Sequence, residues 1–310
     1  MWPLTIDMVF IEKFTTKGKL YFRLVHTVRK GNTYIHKTKY IGKQRPSRAR
    51  LTHLKKKFLK ELMKNRFKYL SLSEFDQIEK RKKNYQAEIK RLSSSEKENY
   101  LKEFIIRFTY DSSKLSGVRI TLRQTSLILK EGIIPRDIKS IKAVKEIENH
   151  EKGALMITAY KGPLTLYFMK KLHKVLLSGI DDPIAGKLRS ELQKNVKIAG
   201  TPYIPPQWDY LDKELKNFFL WFKSENRRLH PVELAALTHL KIISLQPFSD
   251  GNSRLSRLVM NWILWKKNYP MIDIPIEDLE QYYDVLDKYQ IEKKEKPFVD
   301  YIKKKYLEIS

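Results

Sequence analysis

Cysteine is missing from all 310 residues, which removes disulfides, thiolate nucleophiles and cysteine-ligated metals together. A cytoplasmic location is the expectation that follows. No uninterrupted apolar run reaches the ~18 residues of a membrane-spanning helix, so no membrane association is expected. Met1 to Phe10 lacks a basic leader and carries Asp7 inside its apolar stretch, unlike a signal peptide. Glycine and proline are sparse, at 11 and 13 residues, which argues against a low-complexity chain, and no internal repeat is found. Negative charge is the scarcest ingredient. Only 35 Asp/Glu face 62 Lys/Arg, a net charge of +27.

The excess is uneven. Residues 1–50 hold 12 Lys/Arg against 2 Asp/Glu, and residues 51–100 hold 14 against 7. Such a field attracts polyanions or acidic protein surfaces. Tyr21, Phe22, Tyr34 and Tyr40 lie among these cations. They suggest that nucleic acid is one partner available to residues 1–100, through phosphate contacts and base stacking.

Residues 1–45 read as a basic antiparallel β-meander. Met8–Glu12, Lys19–Val28 and Thr33–Tyr40 are rich in β-branched and aromatic residues, and Thr16-Lys17-Gly18 and Lys30-Gly31-Asn32 separate them as hairpin turns. Residues 46–100 form a charged helical linker region in which Leu54, Phe58, Leu62 and Phe67 recur near helical spacing. Ser93-Ser94-Ser95 before Glu96 can cap a new helix. Residues 101–150 and 151–310 are less polar and mainly α. Helices are expected near 209–224, 231–245 and from Asn252, with an extended stretch at Val196–Tyr203 stopped by Pro205-Pro206.

The informative string is Gln246-Pro247-Phe248-Ser249-Asp250-Gly251-Asn252-Ser253-Arg254-Leu255-Ser256-Arg257. Pro247 prevents the preceding helix from continuing. A new helix then begins near Gly251, with Leu255, Leu258, Val259, Trp262 and Ile263 on one stripe. Its first amides lack helical acceptors and lie at the positive end of the helix dipole, an arrangement that holds anions. Gly251 allows backbone to approach a phosphate closely. Arg254 and Arg257, three apart, can neutralise a polyphosphate, and Asp250 can hold Mg²⁺ between phosphate oxygens.

This string resembles the active-site motif of the Fic (filamentation induced by cAMP) family, His-x-Phe-x-[Asp/Glu]-Gly-Asn-x-Arg-x-x-Arg, at every fixed position except the first. His230 to His239 resembles the helix leading into that motif, and Met260 to Ile274 the segment after it. Gly186-Lys187-Leu188-Arg189 and the stretch containing Val196, Lys197 and Ile198 resemble the family's flap, a hairpin that aligns a target peptide by strand addition. The likeness covers about residues 100–300, and the meander resembles segments seen ahead of some Fic domains. It implies a Fic-type helical bundle with a short flap hairpin, with ATP or a similar nucleotide and Mg²⁺ as ligands. It also implies transfer of AMP to a Ser, Thr or Tyr hydroxyl of a protein target. By resemblance Asp250 holds Mg²⁺, Gly251, Asn252 and Ser253 line the phosphate cradle, and Arg254 and Arg257 bind the outer phosphates.

Two departures qualify the implied activity. Gln246 occupies the position of the family's histidine base. An amide cannot take up a proton near neutral pH, so transfer is expected to be weak, altered or absent, and a non-catalytic nucleotide- or peptide-binding protein is the alternative. His239 lies about 10 Å down the same helix and His230 further still, so neither substitutes. The second departure is Ser112-Ser113-Lys114-Leu115-Ser116-Gly117, which resembles the inhibitory motif [Ser/Thr]-x-x-x-Glu-[Gly/Asn]. Ser116 replaces the glutamate that pairs with the final arginine, so Ser116 is expected to be too short to reach Arg257, and Arg257 to be free.

Overall fold

A computed structural model describes residues 9–30, 33–63 and 67–308. The chain divides into two compact units, Met1–Lys68 and Tyr69–Ser310.

In the first unit, β1 (Val9–Thr16), β2 (Lys19–Lys30) and β3 (Thr33–Gly42) form an antiparallel meander in the order β1-β2-β3. Lys17 and Gly18, both at positive φ, make the first turn, so β1 runs four residues beyond the expected Glu12. Met8, Gly31 and Asn32 lie outside the described residues. Helix α1 (Arg48–Met63) follows and buries Phe58 and Leu59, while Val9 and Leu24 are buried on the sheet. Phe67 falls beyond the end of α1, so the helical spacing read through it does not correspond to one helix.

The second unit is helical: α2 (Leu72–Arg91), α3 (Ser94–Lys114), α4 (Leu122–Glu131), α5 (Ile141–Ala159), α6 (Leu166–Leu177), α7 (Leu211–Glu225), α8 (Pro231–Leu245), α9 (Asn252–Lys266), α10 (Leu279–Gln290) and α11 (Lys296–Glu308). The local chemistry explains the boundaries. Ser93 caps α3, with Glu96 returning a bond to the Ser93 amide, as the serine run suggested. Ser71 with Glu74 and Thr121 with Gln124 repeat the device on α2 and α4.

Helices α8 and α9 are the centre. On α8, 13 of 15 residues are buried, and on α9, 12 of 15, so both are covered on all sides. The stripe read from Leu255 to Ile263 is buried as expected, but the opposite side of α9 is buried too, including Arg254 and Arg257. Burying each such aliphatic side chain contributes about 1.5–3 kcal/mol.

The flap differs from expectation. Among the described residues β1–β3 form the only sheet, and Val196, Lys197 and Ile198 lie in an irregular segment rather than a paired hairpin. Pro202, Pro205 and Pro206 lack amide donors, and side chains hold the segment instead. Tyr203 OH donates to Ser244 O (3.0 Å), and Thr201 Oγ1 to Asp287 Oδ1 (2.8 Å).

Candidate active site around the start of α9

Gln246 ends α8 in the left-handed conformation, φ 47° and ψ 60°, which turns the chain sharply into Pro247. Its carboxamide is engaged at both ends: Nε2 donates to Ile243 O (2.7 Å) and Oε1 accepts from Asn252 Nδ2 (2.7 Å). Asn252 also donates to Phe248 O (2.7 Å) and accepts from the Phe248 amide (3.0 Å). The loop is therefore pinned from within by two amide side chains. Arg189, fully buried, secures it from outside, with Nε donating to Gln246 O (2.6 Å) and Nη2 to Leu245 O (3.3 Å) and to Pro206 O. One side chain thus ties the end of α8 to the flap segment.

Gly251 opens α9 at φ 74°, and no side chain caps its helix. The Leu255 amide makes the first helical bond back to Gly251 O. Among the described residues, the amides of Asn252, Ser253 and Arg254 have no hydrogen-bond acceptor. They stand at the helix start where the sequence suggested an anion cradle. A steric reason for glycine at 251 adds to the one inferred, because a Cβ there would come within 2.8 Å of Leu177 Cδ2 and 3.3 Å of His173 Nε2. Packing against α6, together with the positive φ, requires it. Gly251→Ala is expected to destabilise the fold by about 2–4 kcal/mol, from left-handed strain plus overpacking, read as a lowered midpoint in thermal or urea unfolding.

His173 on α6 was not singled out in the sequence, where it is one of several residues on an amphipathic helix. It organises the loop. The Gly186 amide donates to Nδ1 (2.9 Å), so the proton resides on Nε2, which donates to Asp250 O (3.0 Å). The ring stacks on Phe248 with centroids 3.8 Å apart. Burial pushes its pKa down to about 4, with Arg254 adding to the effect and Asp250 opposing it. Phe248 is fully buried and anchors the loop.

Asp250 is exposed over 59% of its side chain; Oδ1 accepts from the Gly251 amide (2.6 Å) and Oδ2 lies 3.8 Å from Arg254. One outward carboxylate beside free amides fits the donor set that Mg²⁺ takes when phosphates supply its other ligands. Among the described residues no cluster of three or more His, Cys, Asp or Glu could hold a metal without such help. Arg254 is 96% shielded and pairs with Glu146 on α5 (3.2 Å), a partner 108 residues away that the sequence did not reveal.

Arg257 corrects the expectation that it is free. Its Nε donates to Ser112 Oγ (2.9 Å), and its Nη2 to Ser112 O (2.7 Å) and to Ser116 Oγ (2.7 Å). Ser116 does reach it, because α3 packs directly on α9 and the arginine supplies the length. What is lost is charge. No carboxylate among the described residues pairs with Arg257, and its buried Nη1 has no hydrogen-bond partner. The field is felt nearby: burial first and the guanidiniums second hold His150 and His239 well below their ordinary pKa. His239 bonds Tyr282 OH (3.0 Å) and His230 accepts from the Val232 amide (3.2 Å), so both serve packing and capping.

The molecule is a helical protein built to present one helix start, two buried guanidiniums and an exposed carboxylate at a single place. Residues 163–264 match the Fic/DOC family model. Protein adenylyltransferase Fic of Drosophila grimshawi is 35% identical over 205 residues, 65% of this chain and 41% of that protein. The chain thus spans less than half the length of this curated relative. A Fic domain containing signaling protein from Bacteroides thetaiotaomicron superposes with a TM-score of 0.67 at 27% identity, covering 76% of this chain and 92% of that one. Fic-1 from C. elegans shares the fold, with a TM-score of 0.64 at 20% identity over 84% and 75% of the two chains. The chain carries a Fic/DOC-type domain, matched over residues 163–264.

Proposed function

We propose that the protein binds a magnesium nucleotide of the ATP class at the start of α9 and, as it stands, transfers the nucleotidyl group to a protein hydroxyl slowly or not at all. The observation that carries the reading is the run of acceptor-free amides at Asn252, Ser253 and Arg254, set beside a guanidinium that no carboxylate among the described residues neutralises. An inner phosphate fits the amides, and the outer phosphates fit Arg254 and Arg257. Asp250 would hold Mg²⁺ against the phosphate oxygens, and the ion would supply neutralising charge there. Ser253 costs the cradle nothing because its backbone makes the contact.

Gln246 argues against efficient transfer. Its carboxamide is spent on Ile243 and Asn252, and it has no basic lone pair with which to take the proton of an incoming hydroxyl. The flap segment around Val196, Lys197 and Ile198 has backbone groups that no other described residue uses, which suits a target peptide adding as a strand. The adenylyltransferase names of the relatives support the nucleotide class.

Calorimetric titration with ATP and Mg²⁺ tests the reading. Arg254→Ala is expected to weaken binding about 10- to 100-fold, the worth of one charge-assisted phosphate contact, with thermal unfolding run in parallel because Glu146 loses its partner. Absence of heat and of any thermal shift with millimolar ATP, GTP, CTP or UTP in the wild-type protein would refute it.

A further inference from the structure

The nucleotide reading leaves the first unit unused. Residues 1–68 carry 19 Lys/Arg against 3 Asp/Glu, so this fifth of the chain holds +16 of the net +27. Within residues 9–45 the only acid is Glu12, and Arg23 pairs with it. The remaining cations there have no acidic residue of the meander to face.

The strand register sorts the aromatic residues. Phe14 pairs with Tyr21, Glu12 with Arg23 and Phe10 with Val25 across β1–β2; Arg23 pairs with Tyr40, Val25 with Thr38 and Thr27 with His36 across β2–β3. Paired residues share a face, and residues two apart share it too. One face therefore carries Phe10, Phe14, Tyr21, Arg23, Tyr34, His36 and Tyr40. Phe22, grouped with the tyrosines in the sequence, points to the other face, where Lys39 reaches Glu61 of α1. Phe14 takes its place.

On that face the rings form a row across all three strands. Phe14 and Tyr21 lie 5.7 Å apart, Tyr21 and Tyr40 5.9 Å, and the Arg23 guanidinium lies 4.8 Å above Phe14. Tyr40 is 57% exposed and Phe10 46%, although Val25 between them is buried. Lys17 and Lys19 border the Phe14–Tyr21 end of the row, and Lys43 follows the end of β3; all three are exposed. A folded domain gains nothing from rings left in water, whereas unstacked bases are flat, apolar on their faces and joined by phosphates at their edges. We propose that this sheet face binds single-stranded polynucleotide, with bases stacking on Tyr40, Tyr21 and Phe14 and phosphates meeting Lys17, Lys19, Lys43 and Arg23. Aromatic stacking is tolerant of sequence, and cationic borders track the backbone.

The test is fluorescence anisotropy of the full chain with 20-nucleotide poly(U) RNA, 20-nucleotide oligo(dT) DNA and a 20-base-pair duplex. Single strands are expected to bind more tightly than the duplex, and the two single-strand arms decide between RNA and DNA. The log–log salt slope is expected near −3, for about four neutralised phosphates at about −0.7 each. Tyr40→Ala is expected to weaken binding about tenfold, the loss of roughly one stacked base, while Tyr40→Phe retains it. Tyr21→Ala should behave likewise, but Tyr40 is the more exposed ring, so its removal does not threaten the fold. Equal affinity for duplex, or no effect of Tyr40→Ala, would mean that charge alone is at work and overturns the proposal. Tighter binding of a polyglutamate peptide at the same salt overturns it in favour of an acidic protein partner, and no binding at low salt overturns it outright.

Discussion

Gln246→His is expected to raise incorporation of labelled nucleotide into protein by about 10²–10⁴-fold, the usual worth of a positioned general base. The site tolerates the exchange. Position 246 sits in the left-handed region at φ 47°, where histidine is several-fold more frequent than most residues. The carboxamide nitrogen lost from Gln246 donates to Ile243 O, and the N–H of a neutral imidazole can donate the same bond, leaving its other nitrogen to accept a proton, while Asn252 Nδ2 keeps Phe248 O as its acceptor. A histidine with its ordinary pKa of ~6.5 is mostly neutral at pH 7 and able to accept a proton. The readout is radiolabel in the chain itself and in added protein. If the variant binds ATP and still labels nothing, the pocket is a nucleotide sensor, and the transferase part of the reading is lost.

The second large effect is on stability in acid. His150, His173, His230 and His239 are buried, and burial lowers the pKa of all four; His173 is pushed down to about 4. In the unfolded chain each titrates near ~6.5. Between pH 6.5 and pH 4 the unfolded state therefore binds more protons than the native one, so stability is intact above pH 6.5 and is lost as pH falls through this window. His173 alone accounts for a loss of about 3 kcal/mol over the window. Glu79, whose pKa is lowered although burial opposes it, because His230 and Tyr269 bond its carboxylate, adds a further loss at lower pH. Asp273, raised by burial and by its neighbour Asp111, acts in the opposite sense and offsets part of this loss. Urea unfolding at pH 7.5, 6.5, 5.5 and 4.5 should give a falling stability with a slope of at least about 1.4 kcal/mol per pH unit between 6 and 4.5. His173→Gln should be less stable at pH 7.5 and shallower by about one proton. A flat profile from pH 6.5 to 4.5 would contradict the neutral, buried state of these rings. Protonating His173 also breaks the bond from the Gly186 amide, so acid loosens the loop that carries Asp250.

The parts of the site readable in the chain are those made by neighbours in sequence. Pro247 after a helical run, Gly251 before one and the arginines at 254 and 257 specify a helix start and its cations through local backbone chemistry. The Ser93–Glu96 cap and the Lys17-Gly18 turn were readable for the same reason. Contacts that join distant segments were not. Glu146 with Arg254, Ser112 and Ser116 with Arg257, His173 with Asp250 and Arg189 with Gln246 are separated by 108, 145, 141, 77 and 57 residues, and no periodicity relates them. The expectation for Ser116 failed because it weighed one side chain's length without the close approach of α3 and α9. The hairpin expected at Val196 failed because three prolines and a set of side-chain bonds outweigh a short β-prone run.

Composition and local pattern alone determined a cysteine-free, strongly basic chain, a β-meander followed by helices, and a helix start bracketed by Pro247 and two arginines; the resemblance to the Fic motif marked Gln246 as standing where that family has a histidine. Tertiary packing decided which charges are neutralised. Among the described residues it gave Arg254 a carboxylate, gave Arg257 hydroxyls and a carbonyl, and spent both ends of Gln246 on its neighbours. Charge balance inside a protein is set by which helices touch, and that depends on how α3, α5, α6, α8 and α9 close around one another.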